Sequence, residues 1–155
     1  MSFLWSDYLD FSKILLNFDN LPENILNAKH RTILGRAYYA AYNSARQIIV
    51  DYCKIDYNSS YVDEFRRKYN IKSGGEHGLI PKLLMIADDP DMRRLGARLE
   101  TLKSDRIKAD YKLEAFNKLS DKAKKAIDKS EEIIKGLKSI QDGSVVIDIG
   151  QFGSN

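Results

Sequence analysis

Apolar residues recur at steps of three and four positions along most of this sequence, which is the spacing of one face of an α-helix. The first such pattern, over residues 3–18, predicts an amphipathic helix with a broad apolar face. The positions that form this face are Leu4, Tyr8, Phe11, Ile14, Leu15 and Phe18. The segment from Asn17 to Pro22 then favours a turn.

The longest pattern, over residues 23–54, predicts a helix with apolar residues on more than one side. A preliminary turn is expected over residues 23–28, and the helix proper over residues 30–54. Apolar residues on several sides are typical of a helix at the centre of a bundle or at a subunit interface. Small residues, Gly35 among them, would allow close helix packing. Tyrosine hydroxyls within the pattern require hydrogen-bond partners if they are buried. These tyrosines are Tyr38, Tyr39 and Tyr42.

Four further helical segments are predicted between polar turns and a glycine break. They cover residues 61–70, 76–87, 90–110 and 120–140. Pro81 is compatible with its helix if it falls in the first turn. The run Val145 to Ile149 is β-prone, so the tail favours either a flexible segment or a strand that docks on a partner. The sequence therefore predicts one all-α bundle of five to six helices over residues 1–141, with an irregular tail over residues 142–155.

Composition is that of a folded globular protein, since 43% of the 155 residues are hydrophobic and 30% are charged. No apolar run reaches the roughly 18 residues of a membrane span, and no signal peptide pattern is found. Cys53 is the only cysteine, which excludes an intrachain disulfide and favours a cytoplasmic location. Neither a metal site nor a cofactor is predicted. The net charge of +3 permits contact with nucleic acid without requiring it.

A charged pair lies at the end of the fifth predicted helix. Arg106 and Asp110 are four residues apart and would share one helix face, and Tyr111 follows them. An arginine can present its planar guanidinium to two phosphate oxygens, so Arg106 is a candidate phosphate ligand. Lys103, one turn earlier, could contribute to the same surface. The alternative interpretation is an ordinary salt bridge between Arg106 and Asp110, with Tyr111 covering the core.

A second candidate pair lies in the longest predicted helix. Arg36 and Asn43 are seven residues apart, on nearly the same face, and could line the same cleft as Arg106. The slightly favoured alternative is structural: Arg36 pairs with an acid from a neighbouring helix, and Asn43 satisfies a buried backbone group. His77 follows a glycine turn and is a candidate for acid–base chemistry. The structural interpretation of His77 is a residue of the first helical turn.

Three blocks of this sequence resemble the HEPN family, helical domains named for nucleotide-binding proteins of higher eukaryotes and prokaryotes. The blocks are Gly-Arg-Ala-Tyr-Tyr-Ala-Ala-Tyr-Asn-Ser-Ala-Arg at residues 35–46, Gly-Glu-His-Gly-Leu-Ile-Pro-Lys-Leu-Leu at residues 75–84, and Arg106-x-x-Ala109-Asp110-Tyr111. Their order and spacing are similar to those of the small prokaryotic branch. The resemblance covers most of residues 5–140.

The resemblance implies a helical bundle that forms a homodimer. It also implies a metal-independent endoribonuclease, in which the ribose 2′-OH attacks the adjacent phosphate. In catalytic members a histidine follows the arginine, but here Asp110, Tyr111 and Lys112 occupy those positions. Asn43 likewise stands where related chains often carry histidine. These departures favour the alternative of a non-catalytic module that binds a nucleotide or a protein partner.

Within this framework Arg106 is expected to hold the scissile phosphate. The candidates for proton transfer or for positioning the ribose are Asp110, Tyr111 and His77. The candidates for further RNA contact are Arg36, Asn43 and Lys103. The expected partners are RNA or a nucleotide, a second copy of the chain, and a nucleotidyltransferase-like antitoxin or another protein of a toxin–antitoxin or antiviral defence system. No membrane partner is expected.

Overall fold

The computed structural model describes residues 2–71, 75–112 and 118–147, and every regular element within these ranges is an α-helix. The elements are α1 (Asp7–Leu16), α2 (Glu23–Cys53), α3 (Ser60–Lys68), α4 (Glu76–Met85), α5 (Pro90–Tyr111), α6 (Leu119–Gly136) and the single turn α7 (Lys138–Gln141). The predicted all-α helical bundle is therefore confirmed. The loop expected at residues 113–117 lies outside the described residues.

The second helix is the centre of the bundle. α2 packs against α1, α4, α5, α6 and α7, and its buried residues lie on more than one side, as predicted. The helix is continuous from Glu23, without the separate preliminary turn. Lys29 in its second turn is only 6% exposed, because its ammonium group donates to Leu16 O at 3.0 Å and Phe18 O at 2.8 Å. These bonds fasten the beginning of α2 to the end of α1.

The buried face of the first helix agrees only in part with the predicted one, because Tyr8 and Leu15 pack against the core whereas the other predicted positions are exposed. Phe11, Ile14 and Phe18 are 48%, 68% and 58% exposed, whereas Leu9 and Ser12 are buried. Ser12 can occupy a packed position because its hydroxyl donates to Tyr8 O at 2.8 Å. Apolar residues are distributed so broadly around α1 that more than one face of the helix could be buried. Packing against α2 and α6 selects the face that contains Leu9.

The last predicted helix is divided in two, and the chain then returns to the core. α6 ends at Gly136, and α7 begins after Leu137. A Cβ atom at Gly136 would lie 2.5 Å from a methyl group of Leu95, so the glycine permits close packing of α6 on α5. Ile147, in the β-prone run, is only 4% exposed and belongs to the core. Residues 148–155 lie outside the described residues.

The fourth helix is held close to the fifth at a glycine. A Cβ atom at Gly96 would lie 2.7 Å from both Pro81 O and Met85 Cγ. Pro81 is the sixth residue of α4, not a residue of its first turn, so the carbonyl of His77 lacks the helical N–H donor that another residue at position 81 would supply. Pro81 therefore does not meet the condition of a first-turn position, and it is buried in the interior of α4.

We expect Gly96→Ala to destabilise the protein by about 1–3 kcal/mol, because the added methyl group would overlap backbone atoms of α4. Urea unfolding measures the change in the free energy of unfolding. Gly35→Ala is the matched control, since a Cβ atom at this position of α2 would meet no neighbouring atom within 4 Å. Its expected effect is a stabilisation of up to about 1 kcal/mol, from the higher helix propensity of alanine. Equal destabilisation by both substitutions would contradict this account of the α4–α5 contact.

Candidate functional site

The buried leucines of α5 determine how Arg106 and Asp110 are presented. Leu99 and Leu102 are almost fully buried. Arg106 follows Leu102 by four residues on the same face of α5, so it lies at the edge of the core. Arg106 Nε lies 2.7 Å from Asp110 Oδ2, and the two side chains are 20% and 35% exposed. The salt bridge named as the alternative interpretation is therefore present. Arg106 makes further contacts besides this salt bridge.

Arg106 also joins α5 to α2. Its Nη2 group donates to the hydroxyl of Tyr39 at 2.8 Å. The guanidinium carbon lies 5.3 Å from the ring centroid of Tyr39 and 5.8 Å from that of Tyr111. Because Tyr111 is 73% exposed, it does not cover the core as the alternative interpretation expected. Arg106 thus lies near two aromatic rings, one of which is open to solvent.

His77 enters the same cluster from the first turn of α4. Its Nδ1 atom is hydrogen-bonded to the hydroxyl of Tyr38 at 2.6 Å. The ring of Tyr42 stacks on the imidazole at 4.2 Å between centroids, and the ring of Tyr39 meets it edge-on at 6.2 Å. The hydroxyl of fully buried Tyr38 therefore has the partner that the sequence required. We name Tyr38, Tyr39, Tyr42, His77 and Arg106 the α2–α4–α5 cluster.

The surroundings of His77 favour its neutral form. Partial burial lowers the pKa of His77 below 6.5, the charge of Arg106 lowers it further, Glu76 opposes the shift, and Lys103 adds to it. Burial also raises the pKa of Tyr38 far above its usual value, so its hydroxyl stays protonated. A hydroxyl both donates and accepts, so Tyr38 can partner Nδ1 in either tautomer of the imidazole. Nε2 of His77 can accordingly carry a proton or accept one.

Two arginines of α2 hold the helices that carry the cluster. Arg46 Nε donates to Glu76 Oε2 at 2.7 Å, which fixes the first turn of α4 and lowers the pKa of Glu76. Arg31 Nη1 donates to Ala109 O and, at 2.9 Å, to Lys112 O. A positive charge at the last carbonyls of α5 also complements the helix dipole. Neither arginine was predicted from the sequence, since no spacing rule connects it to its distant partner.

The other candidate residues have separate contacts. The guanidinium carbon of Arg36 lies 4.9 Å from the ring centroid of Tyr8, so Arg36 is directed to α1 and not to Arg106. Asn43 Nδ2 donates to Tyr39 O at 3.1 Å, in agreement with the alternative of a backbone partner. The expectation that Arg36 and Asn43 share the cleft of Arg106 therefore finds no support in these contacts.

A cleft of about 510 Å³ opens beside His77, between α4, α5 and the segment that follows α3. Lys103 lines this cleft, and its ammonium group lies 2.8 Å from Glu100 Oε1. His77 is thus shared between the cleft and the α2–α4–α5 cluster. In residues 2–71, 75–112 and 118–147, no group of three or more His, Cys, Asp or Glu side chains could hold a metal ion. No helix of these residues is long and apolar enough to cross a bilayer.

Comparison with known proteins adds a relative but no activity. The chain is 34% identical over 109 residues to an uncharacterised protein of Methanocaldococcus jannaschii. The aligned part is 69% of this chain, and it spans 64% of the length of that relative. No family model and no solved structure matches the chain. The resemblance to the HEPN family therefore stays a prediction.

We expect the charge of Arg106 to lower the pKa of His77 directly. The substitution Arg106→Gln removes a nearby positive charge that disfavours the protonated imidazole, so the pKa of His77 should rise. An NMR titration of the ring protons measures this change. His30 is an internal control, because its lowered pKa is caused by burial, Lys29 and Lys124. An unchanged pKa of His77, or equal shifts of both histidines, would show that Arg106 and His77 do not share one site.

Proposed function

We propose that this chain is an RNA-acting, metal-independent endoribonuclease whose site is the α2–α4–α5 cluster. One observation carries the proposal: Tyr39, His77 and Arg106 come from three helices and meet beside an open cleft. The sequence resemblance to HEPN nucleases supports RNA as the substrate. It also supports the remaining parts of the proposal, which are a homodimer and a role in a toxin–antitoxin or antiviral system.

Cleavage through the 2′-OH requires a cation for the phosphate, a base for the hydroxyl proton and an acid for the leaving 5′-oxygen. Arg106 is the proposed cation. Of its five N–H donors, one on Nη2 is directed to Tyr39, while the buried Nε lies 2.7 Å from Asp110 Oδ2 without a hydrogen bond to it. The remaining N–H groups are the proposed ligands of the phosphate oxygens. Asp110 and Tyr39 then orient the guanidinium.

His77 is the proposed base. Its lowered pKa keeps the ring neutral near pH 7, and Nε2 has a free lone pair when Nδ1–H donates to Tyr38. In this step Nε2 takes the 2′-OH proton as the 2′-oxygen bonds to phosphorus and the bond to the 5′-oxygen breaks. Tyr111, exposed beside Arg106, is the proposed donor to the leaving oxygen. The products are a 2′,3′-cyclic phosphate and a 5′-hydroxyl.

Cleavage of mixed RNA in EDTA tests the proposal. We expect the wild type to produce 2′,3′-cyclic phosphate ends, and Arg106→Gln to reduce the rate by about 100-fold or more, since it removes the charge that stabilises the transition state. Lys108→Gln is the matched control, because it removes one positive charge from an exposed position of the same helix. Its expected rate is close to that of the wild type.

The second candidate is a non-catalytic module that binds a nucleotide or a protein partner. It is favoured by the compensation of the Arg106 charge by Asp110. A folded wild type that binds RNA or a nucleotide but produces no cyclic phosphate ends would contradict the nuclease proposal and support this candidate. Equal loss of cleavage in Arg106→Gln and Lys108→Gln would contradict the proposed site.

A further inference from the structure

The cleft beside His77 combines two kinds of surface. Lys82 of α4 and Lys103 of α5 supply positive charge and Glu100 one negative charge, whereas Ile71 and Met85 supply apolar contact. Tyr69 adds an aromatic ring. A volume of about 510 Å³ lies within the range of small-ligand pockets, which is about 300–1,000 Å³. Cations beside an aromatic and apolar wall match the chemistry of a nucleoside phosphate.

Lys82 is the more available of the two cations. Lys103 is already compensated by Glu100, 2.8 Å from its ammonium group. The ammonium group of Lys82 lies 5.1 Å from the ring centroid of Tyr69. Among the described side chains, no carboxylate lies within ion-pair distance of Lys82. Its charge can therefore be satisfied by an anion that enters the cleft.

The cleft is continuous with the proposed reaction site. His77 belongs to both the cleft lining and the α2–α4–α5 cluster. Lys103 precedes Arg106 by three residues, so the two lie on one face of α5 with an axial separation of about 4.5 Å. A nucleotide bound in the cleft would therefore adjoin a phosphate held by Arg106.

We propose that this cleft binds the nucleotide next to the cleaved phosphodiester, with its phosphate on Lys82 and its base or ribose against Tyr69, Ile71 and Met85. This inference rests on the proposed function for its RNA substrate. The same nucleoside phosphate chemistry could be supplied by a free nucleotide, so the test has one arm for each source.

The first arm measures the binding of a fluorescent, uncleavable 2′-O-methyl oligonucleotide by anisotropy at several salt concentrations. We expect Lys82→Met, which keeps an unbranched side chain, to weaken binding about fivefold to tenfold. It should also reduce the slope of log K against log salt by about 0.7, the value for one phosphate contact on a single strand. Lys82→Arg should restore most of the affinity. Lys125→Met, at an exposed position of α6, is the control that should change neither quantity.

The second arm titrates AMP and follows the Met85 methyl resonance by NMR. Lys82-dependent binding of the oligonucleotide supports the inference. If only AMP binds, and binding depends on Lys82, the cleft is a nucleoside phosphate site but the RNA function fails. If RNA binds equally well to the wild type and Lys82→Met, with equal salt slopes, the inference about the cleft is overturned while the proposed function stands. Binding of neither probe overturns both.

Discussion

The burial of tyrosines at the centre of the bundle is the constraint on which the candidate site depends. Tyr38 is fully buried in α2, and a buried hydroxyl without a partner would cost about 1–3 kcal/mol. Its hydroxyl is satisfied by His77 from α4, 2.6 Å away. Tyr39, one residue later, directs its hydroxyl to Arg106 of α5. Satisfying two adjacent tyrosines thus brings together the residues for which we propose a chemical role.

Close packing of α4 on α5 makes this arrangement possible. α4 approaches α5 closely at Gly96, where a Cβ atom would overlap Pro81 O and Met85 Cγ, and the first turn of α4 carries His77, which is hydrogen-bonded to Tyr38. Arg46 then fixes the first turn of α4 through Glu76, and Arg31 fixes the last turn of α5. The same packing leaves the cleft open on the other side of His77. Helix packing and hydrogen bonds therefore together determine the positions of α4 and α5, which carry His77 and Arg106.

Helix positions could be predicted because they depend on local periodicity and on breaks at glycine, proline and polar turns. The central place of α2 and the need of its tyrosines for partners were likewise predictable. The buried face of α1 was predicted only in part, because its apolar residues surround the helix and packing on α2 and α6 selects Leu9 over Phe11. Gly35 was named among the small residues that would allow close packing, whereas the glycines at which an added Cβ atom would overlap a neighbouring helix are Gly96 and Gly136.

Long-range partners account for the rest of what the sequence could not predict. Arg106 and Asp110 were recognised because they are four residues apart on one helix. The bonds from Arg31 to the end of α5 join residues 78 and 81 positions apart. The direction of Arg36 toward Tyr8 likewise depends on where α1 packs. Such contacts depend on the tertiary arrangement, which residue spacing does not encode.

The most direct test of the account is whether RNA contacts His77. An uncleavable 2′-O-methyl oligonucleotide would be titrated into the wild type while the ring resonances of its two histidines are followed by NMR at constant pH. We expect the resonances of His77 to shift in a saturable manner, while those of His30, near the start of α2, stay unchanged. Saturable shifts of His30 alone, or binding that leaves both rings unchanged, would place RNA elsewhere on the molecule and contradict the proposed site.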